Sequence, residues 1–233
     1  MTAERPLAGQ RVLVTRPRHQ AADQAEELRR LGAEPVLLPL LEIEPIPQDD
    51  PAFAAARRCV LDLDLYHAVI FVSANAARFG AELIDDYWPQ LPVGVHWLAI
   101  GAKTAATLDA HGIRAYHSTE GYDSEALLRA EPLQQVADKR ILILRGDSGR
   151  DTLASELRSR GARVDYASLY RRGAPTPDPA HLESTIYARA LSAILITSGE
   201  SLTNLVRLAT TGTTLNTGLA RLQQCPWWYR AGA

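Results

Sequence analysis

The chain has 233 residues, of which 46% are hydrophobic and 22% are charged, and its formal net charge at pH 7 is −2. This composition is typical of an ordinary soluble globular protein with one large domain or two small ones. The small net charge disfavours nucleic acid and anionic membranes as partners, and no apolar run reaches the roughly 18 residues of a membrane span. Because the first ten residues contain no apolar signal-peptide core, we expect the protein in the cytoplasm.

The sequence lacks the common motifs for metals, nucleotides and nucleophilic catalysis. Cys59 and Cys225 are too few for a zinc site, and no two histidines have HxxxH or HExxH spacing. No GxGxxG follows an apolar strand and no GxxxxGK[ST] occurs, which argues against dinucleotides and nucleoside triphosphates. No Ser/His/Asp set or carboxylate pair stands out either. We therefore expect neither a metal ion nor a cofactor.

The first elements predicted along the chain form a βαβ unit. A short apolar strand, Val12–Thr15, is followed by a helix with leucines at helical spacing, which ends at Gly32 before a second strand. The same unit recurs, because Arg11–Ile43 aligns without gaps to Arg140–Arg172 at an offset of 140 − 11 = 129. The strand of the second copy is Ile141–Leu144. Short apolar strands of this kind are typical of parallel sheets that are buried on both faces.

The alternation of strands and helices continues between the two copies. The predicted elements are, in chain order, a strand at Val69–Ser73, a helix at Asn75–Asp86, a strand at Trp97–Ile100, a helix at Lys103–Ala110, a strand at Arg114–Ser118 and a helix capped by Asp123 or Ser124. A second repeat matches Ala68–Gly80 to Ala193–Leu205, so that Ser73 and Ser198 lie 198 − 73 = 125 residues apart. Such alternation indicates parallel α/β sheets, and a repeat of this length predicts two flavodoxin-like lobes.

Two proline-rich segments predict how the lobes are connected. Glu34–Pro47 carries four prolines, which a central strand would not tolerate, and its repeat partner Arg163–Pro177 also ends in prolines. We interpret both segments as extended connectors. The first lobe is then discontinuous, with residues 1–42 and 173–233, and the second lobe spans residues 48–168. Residues 43–47 and 169–172 are the two linker strands.

Small, hydroxylated or basic residues follow nearly every predicted strand. One interpretation is helix capping, because Ser, Thr, Asn and Gly are the residues that N-caps prefer. The other is a binding site for an anion between the lobes, on which hydroxyl groups and the N–H groups of helix N-termini converge. The candidate substrate-binding residues are Thr15, Arg16, Ser73, Asn75, Gly101, Thr104, Arg145, Gly146, Ser198 and Gly199.

Seven short motifs occur in order between about residues 10 and 208. They are "VLVTRP…LRRLGAEPVLLPLLEIEP", "IFVSANAARFG", "LAIGAKTAATLDAHGI", "SEALL", "ILILRGDSGRDTLASELRSRGARV", "LYRR" and "ITSGESLTNL". Together they resemble the uroporphyrinogen-III synthase family of tetrapyrrole (haem) biosynthesis. The resemblance implies two flavodoxin-like lobes with parallel sheets, joined by a two-strand linker, and a cofactor-free lyase.

The resemblance also implies the reaction. The substrate is hydroxymethylbilane, a linear tetrapyrrole with carboxylate side chains, and the product is uroporphyrinogen III, in which ring D is inverted. Loss of the terminal hydroxyl gives an azafulvene, which ring D attacks to form a spiro intermediate that fragments and recloses. Because the linear substrate also closes spontaneously to the wrong isomer, the protein mainly has to hold the polyanion in the productive conformation. We expect a monomer that receives its substrate from porphobilinogen deaminase.

The resemblance implies roles for particular residues. The functional tyrosine of the family corresponds to Tyr170, whose phenol can donate a proton to the leaving hydroxyl or orient it. The alternative is that Tyr170 is a strand-end residue that packs at the linker. The functional threonine and serine of two strand-to-helix turns correspond to Thr104 and Ser198.

The C-terminal part departs from the family pattern. From Ser73 to Lys139 there are 139 − 73 = 66 residues, but from Ser198 to Ala233 there are only 233 − 198 = 35, and "PWWYRAGA" matches no family motif. We interpret this as a truncation or frameshift that leaves the first-lobe sheet with about three strands and makes that lobe less stable. Three functions stay open: an active synthase, a protein that binds a tetrapyrrole or another polyanion without turnover, and a binding protein of the periplasmic type, which the missing signal peptide disfavours.

Overall fold

The computed structural model describes residues 5–119, 121, 124–182, 191–211 and 227–229. The chain divides into two compact units: the first comprises Met1–Glu42 and Gly173–Ala233, and the second comprises Ile43–Arg172. Each unit has its own sheet of mainly parallel strands with helices packed on it. The predicted fold class, two α/β lobes of which the first is discontinuous, is therefore confirmed.

Strands and helices are numbered in chain order. The strands are β1 (Arg11–Val14), β2 (Glu34–Leu37), β3 (Glu42–Pro45), β4 (Ala68–Phe71), β5 (His96–Ala99), β6 (Arg140–Gly146), β7 (Arg163–Gly173), β8 (Ala193–Ile196) and β9 (Trp227–Tyr229). The α-helices are α1 (Arg18–Arg30), α2 (Pro51–Leu61), α3 (Ala74–Asp85), α4 (Ala102–Ala110), α5 (Ser124–Leu127), α6 (Thr152–Ser159), α7 (Pro179–Leu182) and α8 (Gly199–Thr211). Among the helices of the described residues, none is long and apolar enough to cross a membrane.

The first unit is built on a parallel sheet with the strand order β2-β1-β8-β9. β1 is buried at every position, because Leu13 packs with residues of α8 on one face and Val14 packs with residues of α1 on the other. β2 lies at the edge, where Pro35 is tolerated. The prediction of a connector throughout Glu34–Pro47 is therefore wrong for Glu34–Leu37, which forms this edge strand.

The other edge of the first-unit sheet also corrects a prediction. Within the described residues the sheet has four strands instead of about three, because Trp227–Tyr229 pairs in parallel with β8. Its register repeats that of the second unit: Trp227 lies opposite Ile194, as Trp97 lies opposite Val69. The strand was missed because it is only three residues long, although Trp and Tyr are good strand formers. The prediction that the first lobe is less stable depended on a sheet of about three strands, so it no longer has that basis.

The second unit has five strands in the order β3-β7-β6-β4-β5. Helices α2, α3 and α4 cover one face, and α5 and α6 cover the other, so the residues of β4 are fully buried. The parallel strands β4, β5 and β6 end at the same edge of the sheet. This edge is where parallel α/β sheets place ligands.

Two predictions for the second unit concern the strand at Arg114–Ser118 and the cap of the helix that follows it. Arg114–Ser118 does not form a strand but makes a single bridge, between Tyr116 and Leu98. Tyr116 is 52% exposed, so the segment buries too little apolar surface to extend the pairing. Asp123, one of the two predicted caps, lies outside the described residues, and α5 begins at Ser124.

Candidate active site

The second unit contains a cavity of about 400 Å³ at the carboxyl edge of its sheet. The ends of β4, β6 and β7, the start of α5, and the loop from β6 into α6 form its walls. Four of the predicted site residues line this one cavity: Ser73, Arg145, Gly146 and Tyr170. Asn75, Gly101 and Thr104 are not among its lining residues.

Tyr170 is almost completely buried, with 1% of its surface exposed. Its hydroxyl oxygen lies 3.0 Å from Oγ of Ser73, and its ring stacks on Phe79 with the centroids 5.7 Å apart. The ring therefore packs in the apolar core of the second unit. Tyr170 and Ser73 both line the cavity.

A β-bulge determines which way Tyr170 points. Arg145 lies opposite Ser168, but Gly146 lies opposite Tyr170, so one extra residue of β7 is inserted between these pairs. Side chains normally alternate between the two faces of a sheet, yet Leu169 and Tyr170 both belong to the apolar cluster beneath α3. Without the bulge Tyr170 would face the other side of the sheet, away from Ser73.

Gly146 lies against the tyrosine ring. A Cβ atom at this position would come within 2.8 Å of Cε2 and 3.0 Å of Cζ of Tyr170. Such distances are shorter than van der Waals contact, so the site has no room for a side chain here. The ring is thus enclosed between the backbone of β6 and the side chain of Phe79.

Arg145 provides a fixed positive charge in the cavity wall. Its side chain is only 10% exposed, and Nη1 donates a hydrogen bond to Oδ1 of Asp151 at 2.8 Å. Its guanidinium lies over the ring of Tyr166, 4.7 Å from the centroid, and the Tyr166 hydroxyl donates to Asp151 at 3.0 Å. These hydrogen bonds, that of Arg145 first, hold the pKa of the Asp151 carboxyl below its ordinary value. The guanidinium is therefore oriented before any ligand binds.

The segment from the end of β6 to the start of α6 contributes four lining residues that were not predicted. It is the sequence RGDSGRDT, and its further lining residues are Ser148, Gly149, Arg150 and Thr152. Tyr166 and Arg172 from β7 also line the cavity. The sequence could have identified these residues, because small and polar residues follow an apolar strand here as they do at the predicted positions. The cavity wall thus contains three arginines.

The remaining predicted residues of the second unit lie in helix N-termini. Gly101 is the N-cap residue of α4 and has a φ of 79°, which a residue with a side chain adopts only with strain. Asn75 lies in the first turn of α3 and is half-buried, whereas Thr104 is buried within α4. The predicted role of these three residues in substrate binding stays a prediction.

The predicted site residues of the first unit are Thr15, Arg16, Ser198 and Gly199. Thr15 is fully buried, and its Oγ1 donates to the carbonyl of Leu195 in β8 at 2.7 Å. Ser198 caps α8 by accepting a hydrogen bond from the backbone N–H of Ser201 at 3.1 Å, and Gly199 is the first residue of that helix. Nε of Arg16 is buried and has no hydrogen-bond partner among the described residues.

The described residues contain no cluster of three or more His, Cys, Asp or Glu side chains that could hold a metal ion.

Comparison with known proteins gives concordant results. The sequence model of the family described as uroporphyrinogen-III synthase HemD matches residues 22–225. The uroporphyrinogen-III synthase of Escherichia coli (strain K12) is 34% identical over 198 residues, which cover 83% of this chain and 78% of that protein. The synthase of Synechococcus elongatus is 31% identical over 216 residues, which cover 88% and 77%.

Solved structures resemble the fold at lower sequence identity. A mutant uroporphyrinogen III synthase from the extremely thermophilic bacterium Thermus thermophilus has a TM-score of 0.57 at 20% identity and covers 96% of this chain and 84% of that chain. The uroporphyrinogen-III synthetase from Helicobacter pylori 26695 has a TM-score of 0.53 at 16% identity and covers 94% and 91%. At this identity the likeness shows a shared fold.

Proposed function

Because the chain belongs to the uroporphyrinogen-III synthase family, we propose that it cyclises hydroxymethylbilane to uroporphyrinogen III with inversion of ring D. The observation that carries this proposal is the cavity of the second unit, which is lined by Tyr170 together with Arg145, Arg150 and Arg172. A phenol and positive charges in one cavity suit a substrate that carries many carboxylates and a leaving hydroxyl.

Substrate carboxylates bind to the basic wall of the cavity. Arg145 is held in place by Asp151 and offers its remaining N–H groups, while Arg150 and Arg172 add exposed guanidinium groups. Arginine suits this task because its planar fork matches a carboxylate in two hydrogen bonds. The net charge of the whole chain is therefore a poor guide to its affinity for a polyanion.

Tyr170 acts as the proton donor in the first chemical step. The hydroxymethyl C–O bond breaks, its electron pair goes to oxygen, and this oxygen takes the Tyr170 proton and leaves as water. Attack by ring D on the resulting azafulvene gives the spiro intermediate. The hydrogen that ring D loses as a proton at the final closure restores the phenol, so that no cofactor is consumed.

The finer aspects of the proposal concern the cellular context. Because the linear substrate also closes spontaneously to the wrong isomer, rapid hand-over from porphobilinogen deaminase is favoured. We place the protein in the cytoplasm as a monomer, because its composition is that of an ordinary globular protein and its two cysteines offer no disulfide framework.

The isomer ratio tests the function. In an assay coupled to porphobilinogen deaminase, the protein should give mainly type III product, whereas the uncatalysed closure gives type I. Tyr170→Phe should lower turnover about 100-fold while the unfolding midpoint in urea changes little. Tight binding of uroporphyrinogen without isomer control would instead support the alternative, a binding protein that lacks turnover.

A further inference from the structure

Ser73 was expected to bind substrate, but the structure gives its hydroxyl two other partners. Oγ accepts a hydrogen bond from the backbone N–H of Ala76 at 3.1 Å, which caps α3. It also lies 3.0 Å from the hydroxyl oxygen of Tyr170, and either hydroxyl can be the donor of that bond. Ser73 therefore contacts the proposed acid directly.

The direction of the Ser73–Tyr170 hydrogen bond decides what Tyr170 can do. If the phenol donates to Ser73, its proton points away from the substrate. If Ser73 donates to the phenol, the proton of Tyr170 is available to the cavity. Ser73 can take the second role without losing its cap, because its oxygen accepts from Ala76 while its own proton is free to donate.

The same bond matters after the proton has left. The phenol oxygen then carries negative charge, and it does so in a site where the tyrosine is only 1% exposed to solvent. A hydrogen bond that a hydroxyl donates to a charged oxygen is stronger than one that it donates to a neutral oxygen. The donor in turn lies at the N-terminus of α3, whose dipole favours negative charge nearby.

We propose that Ser73 is a positioning residue of the reaction: it donates its hydroxyl proton to the oxygen of Tyr170 and so directs the phenol proton to the leaving hydroxyl. The inference rests on the proposed function, in which Tyr170 is the acid. It assigns Ser73 no contact with the substrate. Its effect is therefore on kcat, through Tyr170, and not on KM.

The test is a double-mutant cycle on kcat at saturating substrate, with Ser73→Ala, Tyr170→Phe and the double variant. Loss of one hydrogen bond to a developing charge should lower the kcat of Ser73→Ala about ten-fold with little change in KM. In the Tyr170→Phe background the same substitution should have no further effect, because no phenol is left to orient. Ser73→Thr keeps the hydroxyl and should recover turnover relative to Ser73→Ala.

A separate variant controls for the lost helix cap. Asp50, which does not line the cavity, caps α2 through the backbone N–H of Ala52 at 2.8 Å and also accepts a hydrogen bond from Arg171 at 2.6 Å. Asp50→Asn keeps a cap but removes the charge that pairs with Arg171, so it is the reference for Asp50→Ala. Asp50→Ala should lower the urea midpoint to an extent comparable with Ser73→Ala but leave kcat unchanged. A loss of kcat in Asp50→Ala but not in Asp50→Asn would mean that the loss of a helix cap by itself lowers turnover, and this would overturn the inference.

The outcomes separate the inference from the proposed function. Suppose that Tyr170→Phe lowers kcat. The role of Ser73 is then wrong, and that of Tyr170 stands, if Ser73→Ala keeps full kcat. The same conclusion follows if Ser73→Ala lowers kcat by the same factor in the Tyr170→Phe background as in the wild type. If Tyr170→Phe itself keeps full kcat, both roles are wrong. If the wild-type protein gives no type III product, the proposed function fails as a whole.

Discussion

Replacing Gly146 by alanine tests whether the enclosure of Tyr170 matters for both stability and turnover. The new Cβ would lie 2.8 Å from the ring, whereas ordinary contact begins at 3.4 Å, so the ring has to move by 3.4 − 2.8 = 0.6 Å. Phe79 stacks on the ring and restricts such a movement. A shift of this size is enough to lengthen the 3.0 Å distance to Ser73 to about 3.6 Å, beyond a hydrogen bond.

The expected loss of stability follows from three contributions. Overpacking in a core costs about 1–3 kcal/mol, and the hydrogen bond between Tyr170 and Ser73 contributes about 1 kcal/mol. Restricting the unfolded chain by Gly→Ala offsets about 0.4–1 kcal/mol of this. Gly146→Ala should therefore lower the free energy of unfolding by about 2 kcal/mol, and its turnover should fall towards that of Tyr170→Phe.

Urea unfolding and the coupled isomer assay measure the two effects. Gly173, at the end of β7, is the matched control, because a Cβ there would meet no atom within 4 Å. Gly173→Ala should stay within about 0.5 kcal/mol of the wild type or be slightly more stable. An unchanged midpoint in Gly146→Ala would refute the enclosure. A lower midpoint with full turnover would leave Tyr170 as a packing residue only.

Three further predictions concern other parts of the molecule. Tyr66→Phe removes the hydroxyl that donates to Asp165 at 2.8 Å and should cost about 1–2 kcal/mol in urea unfolding, whereas Tyr116→Phe, at a half-exposed position, should cost less than about 0.5 kcal/mol. The hydrogen bond from Arg145 lowers the pKa of Asp151, so the stability that this carboxylate adds is complete above about pH 4 and is lost as the pH falls further. The difference in urea midpoint between wild type and Asp151→Asn should therefore shrink between about pH 6 and pH 3. A constant difference would contradict the ion pair. The amides of β8 should be protected from hydrogen exchange about as well as those of β4, because each of these strands lies between two others. Much weaker protection of β8 would mean that β9 does not pair with it in solution.

The repeat made most of the fold predictable. The strand predicted at Ile141–Leu144 is the interior of β6, and the helix predicted to end at Gly32 ends just before this residue, which has a φ of 93°. Apolar runs and glycine caps are local signals, so they can be read from the sequence. β9 gave no such signal, because three aromatic residues without a periodic pattern do not identify a strand.

The candidate site could be predicted only in part, because the sequence does not show where the pairing of β6 and β7 is interrupted by the bulge. The rule that ligands lie at the carboxyl ends of parallel strands correctly selected Ser73, Arg145 and Gly146 as neighbours around one cavity. The same rule also selected Thr15 and Thr104, whose buried side chains lie outside it. Strict alternation would have placed Tyr170 on the opposite face from Ser73. A one-residue insertion in the strand pairing reverses this, and the sequence shows no sign of it.

The two halves of the repeat use the same kind of helix cap with different second partners. Ser73 and Ser198 both cap a helix by accepting the N–H three residues later, at 3.1 Å in each case. The second partner differs: Ser198 pairs with Ser201 of its own helix at 2.9 Å, whereas Ser73 pairs with Tyr170 from another strand. At the repeat offset, the first-unit counterpart of Tyr170 is residue 170 − 129 = 41, which is a buried leucine. Leucine has no proton to donate, so the role in proton transfer that we propose for the cap at Ser73 depends on Tyr170 and on the bulge of β7.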